Sequence, residues 1–282
     1  MKLLIAYGSK GKYFHMKEFS NALKKLGVEC KLVRDSDYSR GFPNKNFNDW
    51  FFGNKEFKKL INEFSPNAIF VDKQSHFGAA AIDANIPLFV LLRGHYWSEL
   101  EYAKETMYKT KKMRMIIRLR DRIAKKCFRN ATAILPICNY LEDVVKDYYP
   151  KQNTHVFFEG IDSSHWENAS QMKLKHPCVG LLQDANWWGK TKEMLTLKEA
   201  QLMKKPVLAT NVGGIPEMMR DGQTGFLVEE GDHDGWVKHL SGIINDKTLS
   251  RKLGEEGQKF VNETFNWERI ATNFVKILNK YQ

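Results

Sequence analysis

Long apolar runs are missing from this chain of 282 residues. The longest, Ile86 to Leu92, contains Pro87 and stops at Arg93, well short of the ~18 residues that span a bilayer. The opening MKLLIAYGSKGK is no better as a signal peptide, because Gly8 and Lys10 end its apolar stretch too early. The expectation is a soluble, cytoplasmic protein. Cysteine is scarce: the four residues Cys30, Cys127, Cys138 and Cys178 lie far apart with no C-x-x-C pair. That argues against a zinc site or a disulfide framework and for buried, reduced thiols. No histidine spacing indicates a metal site, and there is no internal repeat or low-complexity segment. Acidic residues are outnumbered, 33 against 44 Lys+Arg, which leaves a net charge of +11. Such a charge suits a nucleic acid, anionic lipid or phosphorylated metabolite, or simply a basic surface. Nucleic acid is the weakest of these, since helix-turn-helix and zinc-finger spacings are lacking. With 43% hydrophobic and 27% charged residues, disordered and fibrous classes are out, and the length fits about two domains.

What is present reads as alternating strands and helices. Leu3 to Tyr7 is a short apolar strand, followed by a loop with Gly8 and Gly11. A helix follows with Phe14, Phe19, Ala22, Leu23 and Leu26 on one face and Gly27 as its cap, and then a strand at Val28 to Val33. Buried parallel strands read as continuous apolar runs, and this order is a βαβ unit. NAIFVD (67–72), PLFVLL (87–92) and TAILPI (132–137) continue the pattern, with helices at Gly78 to Ala84 and Tyr140 to Tyr148. A second set begins with the strand HPCVGLL (176–182). It continues with a helix from Thr191 to Met203, the strands KPVLAT and TGFLVE, and helices at 233–244, 249–264 and 267–281. Two Rossmann-like units in series would face each other across a cleft, and ligands of open α/β sheets bind beyond the carboxyl ends of the strands.

The most informative stretch is EAQLMKKPVLATNVGGIPEMMRDGQTGFLVEEGD, Glu199 to Asp232. Its strand opens at the carboxyl end into Thr210-Asn211-Val212-Gly213-Gly214, and Pro216 suits the first turn of a helix starting there. A glycine loop between a strand end and a helix N-terminus is a ready anion site. This segment resembles the signature of glycosyltransferase family 4, the group-1 family of GT-B nucleotide-sugar transferases, at nearly every fixed position of "EA-x-A-x-x-x-PV-x-A-T/S-x-x-GG-x-PE … DG-x-TG-x-LV-x-x-GD". Elsewhere the similarity is weaker. RIAKKCFRNATAILPICNYLEDVVKDYY resembles the last helix and strand of the family's first domain. HVFFEGIDSSHW resembles its linker, with Glu159 where Asn is usual.

The resemblance implies an α/β GT-B fold and a metal-independent, retaining transfer of a hexose-type sugar from a nucleotide diphosphate to a glycan or lipid-linked acceptor, with no cofactor. It also implies the site. Lys190 matches the lysine expected on the diphosphate, although Leu181 replaces the family's arginine. Glu199 matches the second glutamate of the paired-glutamate motif, expected on the donor ribose. Asn211, Gly213, Gly214 and Glu217 would complete the donor side. The first domain's cleft histidine falls at Arg93, with His95 two positions on, and either side chain would contact the sugar or the acceptor. The Gly8–Gly11 loop would flank the acceptor. The division expected is 1–160 for the acceptor side, with 267–282 returning to it, and 161–266 for the donor side.

One departure matters. Between Val179 and Val207 there is room for a single crossover helix, where the family inserts further strand–helix units. Counting back from Glu199 to the first acidic position of the paired motif reaches Thr191. The donor domain is therefore expected to be internally shortened, and a catalytically weak or inactive relative serving as a binding or scaffold protein is the alternative reading. A nucleotide-sugar epimerase shares the fold, but its characteristic residues are not evident. Finally, Lys109 to Asn130 mixes ten or so cations with Met113, Ile116, Ile117, Leu119, Ile123 and Phe128. As a helix it would present one apolar side and one cationic side, suiting either packing on the sheet or an anionic membrane surface at the inner face.

Overall fold

The structure, a computed structural model, describes residues 1–8, 10–38, 54–164 and 194–281. It divides into two compact units. One comprises Met1–Ile137, Leu141–Phe158 and Ile270–Gln282; the other comprises Cys138–Tyr140 and Glu159–Arg269.

The first unit is built on a five-stranded parallel sheet of order β2-β1-β3-β4-β5. The strands are β1 (Lys2–Tyr7), β2 (Glu29–Arg34), β3 (Ala68–Val71), β4 (Leu88–Leu92) and β5 (Ala133–Pro136). The register pairs Leu3 with Cys30 and Ala68, Phe70 with Phe89, and Phe89 with Ala133. Every residue of β3, β4 and β5 is buried, as expected when helices cover both faces of a parallel sheet. The helices of this unit are α1 (Tyr13–Lys25), α2 (Asp35–Tyr38), α3 (Asn54–Phe64), α4 (His76–Asp83), α5 (Tyr96–Thr106), α6 (Lys111–Asn130) and, from Leu141 onward, α7 (Asn139–Tyr148). Phe19 of α1, Phe70 of β3, Phe157 and Phe274 form the centre of the core. Ring centroids there are 5.2 Å apart for Phe19–Phe157, 5.4 Å for Phe19–Phe274 and 5.5 Å for Phe70–Phe274. Such tilted and edge-on pairs add to the area they bury. Phe274 comes from the last helix, α11 (Trp267–Asn279), whose residues from Ile270 onward belong to this unit.

The second unit contains β6 (Val207–Thr210) and β7 (Gly225–Val228), parallel, with Val207 opposite Gly225 and Thr210 opposite Val228. Helices α8 (Met194–Leu202), α9 (His233–Asn245) and α10 (Lys247–Thr264) accompany them. Val207, Ala209, Ile215 and Met219 form its core cluster, joined by Leu197 and Ala200 from α8. The strand expected at 176–182 lies outside the described residues.

Three local expectations need correction. Phe14 and Leu26 of the first helical segment are 47% and 45% exposed, because the buried stripe of α1 runs through Met16, Phe19, Ser20, Ala22 and Leu23 instead. Met113 is likewise exposed, not part of an inward apolar side. After Gly214 the chain makes one 3₁₀ turn, Ile215–Met218, in place of a longer helix; Met219 is already extended.

Candidate functional site

In the first sheet the strand order turns back beside β1, where β2 lies on one side and β3 on the other. In doubly wound sheets that switch point is where ligands bind, beyond the carboxyl ends of the strands. Gly8 follows β1 there, and its close neighbour is Lys73, the second residue after β3. A Cβ on Gly8 would sit 2.5 Å from Lys73 Cε, so the lysine stem lies directly on the glycine. The Lys73 ammonium reaches to 3.6 Å from Asp35, the residue after β2. Asp35 is buried, and burial pushes its carboxyl up to about 6, against the opposing pull of Lys73. One residue before Lys73, buried Asp72 holds Arg93, the residue after β4, with Nη1–Oδ2 at 3.1 Å. The same Nη1 donates to the main-chain oxygen of Asp72 at 3.4 Å. The other carboxylate oxygen of Asp72 is buried and accepts no hydrogen bond from the described residues. His95, two residues past Arg93, is the N-cap of α5; its Nδ1 accepts from Ser98 N at 3.1 Å. Gly11 lies in the 3₁₀ turn Lys10–Lys12, and a side chain there would meet open space.

The carboxyl end of β6 is built differently. Asn211 N donates to Val228 O at 2.8 Å, prolonging the ladder, and its side-chain Nδ2 donates to Glu229 Oε1 at 2.7 Å. Gly213 then takes φ +55°, a left-handed conformation that costs an L-residue with a Cβ ~1–2 kcal/mol. Gly214, buried, is the N-cap of the 3₁₀ turn with no side chain capping it. At Gly213 and Gly214 the turn therefore offers main-chain groups only. Glu217 inside it accepts from Asn139 N at 2.8 Å, Asn139 Nδ2 at 2.6 Å and Tyr140 N at 3.0 Å. A carboxylate on amides at the start of a helix, here α7, is a favoured arrangement. Glu199 stands half-buried on α8, and burial pushes its carboxyl upward. Lys190 lies outside the described residues.

Next to Glu199 is a residue that the sequence does not single out. Lys198 is 1% exposed. Its ammonium donates to Glu159 O at 2.7 Å and sits 4.3 Å from the centroid of the Phe265 ring. Burial lowers its pKa to about 8, with the charges of Glu159 and Cys138 acting in the opposite direction. From sequence a lysine in a helix reads as solvated, and only the partners at 159 and 265 reveal otherwise. Asp72 carried a weak sequence signal, a carboxylate ending the apolar run NAIFVD; Asp35 and Lys73 carried none. Among the described residues no group of three or more His, Cys, Asp or Glu side chains is placed to hold a metal ion. Nor is any described helix long and apolar enough to cross a membrane.

Residues 195–260, which run from α8 through the glycine turn into α10, match the family described as Glycosyl transferases group 1. The chain is 29% identical over 126 residues to N-acetyl-alpha-D-glucosaminyl L-malate synthase of Bacillus anthracis, a match covering 45% of this chain and 32% of that one. It is 34% identical over 86 residues to the capsular polysaccharide biosynthesis glycosyltransferase CapM of Staphylococcus aureus, covering 29% and 23%. These matches therefore span about a quarter to a third of the relatives' own lengths. In three dimensions the chain resembles sucrose-phosphate synthase from Thermosynechococcus elongatus, with a TM-score of 0.72 at 13% identity over 99% of both chains. It also resembles the Anabaena protein HepE, solved with UDP-glucose, with a TM-score of 0.66 at 13% identity over 99% of this chain and 100% of that one. The glycine-turn segment thus carries the similarity to the group 1 glycosyl transferases, and the fold of the chain is the GT-B fold of these solved structures.

Proposed function

We propose that the protein is a glycosyltransferase that moves a hexose-type sugar from a nucleotide diphosphate donor to a glycan or lipid-linked hydroxyl, with retention at the anomeric carbon and without a metal. The observation that carries this reading is the turn at the end of β6. Gly213, in its left-handed conformation, and Gly214 bring main-chain groups without side chains to a strand end, inside the segment 195–260 that matches the group 1 family. A diphosphate brings its own charge, and a glycine turn whose carboxylate, Glu217, is already engaged by the Asn139 and Tyr140 amides suits it.

In this reading Gly213, Gly214 and Lys190 hold the diphosphate, Glu199 holds the donor ribose, and Asn211 and Glu217 fix the turn through Glu229 and the Asn139–Tyr140 amides. The raised carboxyl of Glu199 fits a group that accepts or shares a hydroxyl proton. Arg93, held by Asp72, and His95 stand on the acceptor side with the Gly8–Gly11 loop. The acceptor hydroxyl forms the new bond to the anomeric carbon, the bond from that carbon to the phosphate oxygen breaks, and the hydroxyl proton leaves with the nucleoside diphosphate. A lipid-linked acceptor would bring the protein from the cytoplasm to a membrane face.

The test is to incubate the full chain with UDP-, GDP- and ADP-sugars in the presence of a chelator and measure released nucleoside diphosphate. Release from one nucleotide class, lowered at least about tenfold by Glu199→Ala, is the expected result. Absence of both turnover and any thermal shift with all three classes contradicts the proposal and favours a binding or scaffold protein.

A further inference from the structure

Helix α6 changes character along its length. Its later turns bury Ala124, Cys127 and Phe128, and the lysines beside them are paired, Lys125 with Asp121 at 2.7 Å and Lys126 with Asp83 at 2.5 Å. The first five residues, Lys111 to Met115, are all exposed, and burial begins only at Ile116 and Ile117. The start of the helix is nonetheless fixed, because Thr110 caps it by accepting from Met113 N at 3.2 Å. From Met107 to Arg120 the chain has no acidic residue. The side chains of Lys109, Lys111, Lys112, Arg114 and Arg118 have no ion pair or hydrogen bond among the described residues, in contrast to those of Lys104, Lys125 and Lys126 nearby. Between these cations stand Met107, Met113 and Met115, which are 56%, 43% and 38% exposed.

Unpaired cations alone fit any polyanion. Three exposed methionines threaded among them do not gain from a phosphate backbone, but they do gain from the boundary between headgroups and acyl chains. Long cationic side chains can reach the headgroups from there. We infer that the corner formed by Met107 and the first two turns of α6 is a docking surface for an anionic phospholipid bilayer, with the methionines entering the interface and the five cations resting on the headgroups. No catalytic residue takes part, so the inference stands apart from the sugar-transfer reading.

Sedimentation of the full chain with vesicles tests it, comparing phosphatidylcholine alone with phosphatidylcholine mixed with phosphatidylglycerol. Binding to the mixed vesicles only, weakening as salt is raised, is expected. A basic residue at such a surface is worth about fivefold in partitioning, so Lys111→Glu/Lys112→Glu/Arg114→Glu should lower binding by about a hundredfold or more. A matched reversal on α10, Lys247→Glu/Arg251→Glu/Lys252→Glu, should leave most of it. Met113→Ser/Met115→Ser, which keeps every charge, should weaken binding several-fold at constant salt. Circular dichroism checks the fold of each variant, and nucleoside diphosphate release should persist in all three. Failure to bind the mixed vesicles, or equal loss in both reversals, overturns the inference. So does an unchanged methionine variant whose vesicle binding is competed away by single-stranded nucleic acid, which would mark a general polyanion surface.

Discussion

The two sheets end in opposite ways. At the carboxyl edge of the first, buried acids and cations are locked together as Asp72–Arg93 and Asp35–Lys73. At the end of β6 in the second, the chain presents glycines and an asparagine, and the buried Lys198 stands on α8 against a carbonyl oxygen and an aromatic ring. An edge with fixed, directional charges suits a ligand that is read by its hydroxyl pattern. An edge of main-chain groups suits a ligand that carries its own charge. In the proposed reading the same α/β scaffold supports two kinds of recognition, and the difference lies in which residue follows each strand.

The largest effect that sharpens this contrast is expected from Asp72→Ala. Removing one partner of a buried ion pair leaves the other charge poorly compensated, so the variant should lose about 3 kcal/mol of stability in denaturant titration. A loss under about 1 kcal/mol would mean that the first edge is no more rigid than a surface ion pair. A smaller effect separates the units by pH. The Asp35 carboxyl is raised by burial from 3.8 to about 6, so the folded state holds its proton more tightly than the unfolded chain. That contribution to stability is complete below pH 3.8 and is lost as pH rises through 6. Lys198 is lowered by burial from 10.5 to about 8, so the unfolded chain binds that proton more tightly, and stability should rise with pH between those values. Melting temperatures followed across both windows should show a fall that Asp35→Asn flattens and a rise that Lys198→Met flattens. If either substitution flattens the other's window, the two units are not electrostatically separate.

Much of the scaffold was legible because parallel strands buried on both faces need apolar runs. Leu3 to Tyr7, NAIFVD, PLFVLL and TAILPI each mark a strand within a residue or two. The glycine turn was legible for a related reason: Gly213 requires a left-handed backbone that few other residues tolerate. The side-chain partnerships were not. Glu217 reads as a helix-start glutamate within its own segment, yet its hydrogen bonds run to residues 77 and 78 positions earlier. Arg93 reads as a polar strand end, and its partner Asp72 stands 21 positions away. Lys198 is hidden because helical periodicity cannot distinguish a lysine held by a distant carbonyl oxygen from one in water. Periodicity misplaced Phe14 and Met113 for the opposite reason: it treats every apolar residue as inward-facing, whereas these two, in the first turns of α1 and α6, are exposed.

The central claim is that the turn at Gly213–Gly214 receives a nucleotide diphosphate. Calorimetric titration of UDP, GDP and ADP into the full chain and into Gly213→Val tests it most directly. The account predicts binding of one nucleotide to the natural sequence and at least about a tenfold weaker affinity in the variant, with cooperative melting retained despite a strain of ~1–2 kcal/mol. Equal affinity in the two proteins, or no binding of any of the three nucleotides, would contradict it.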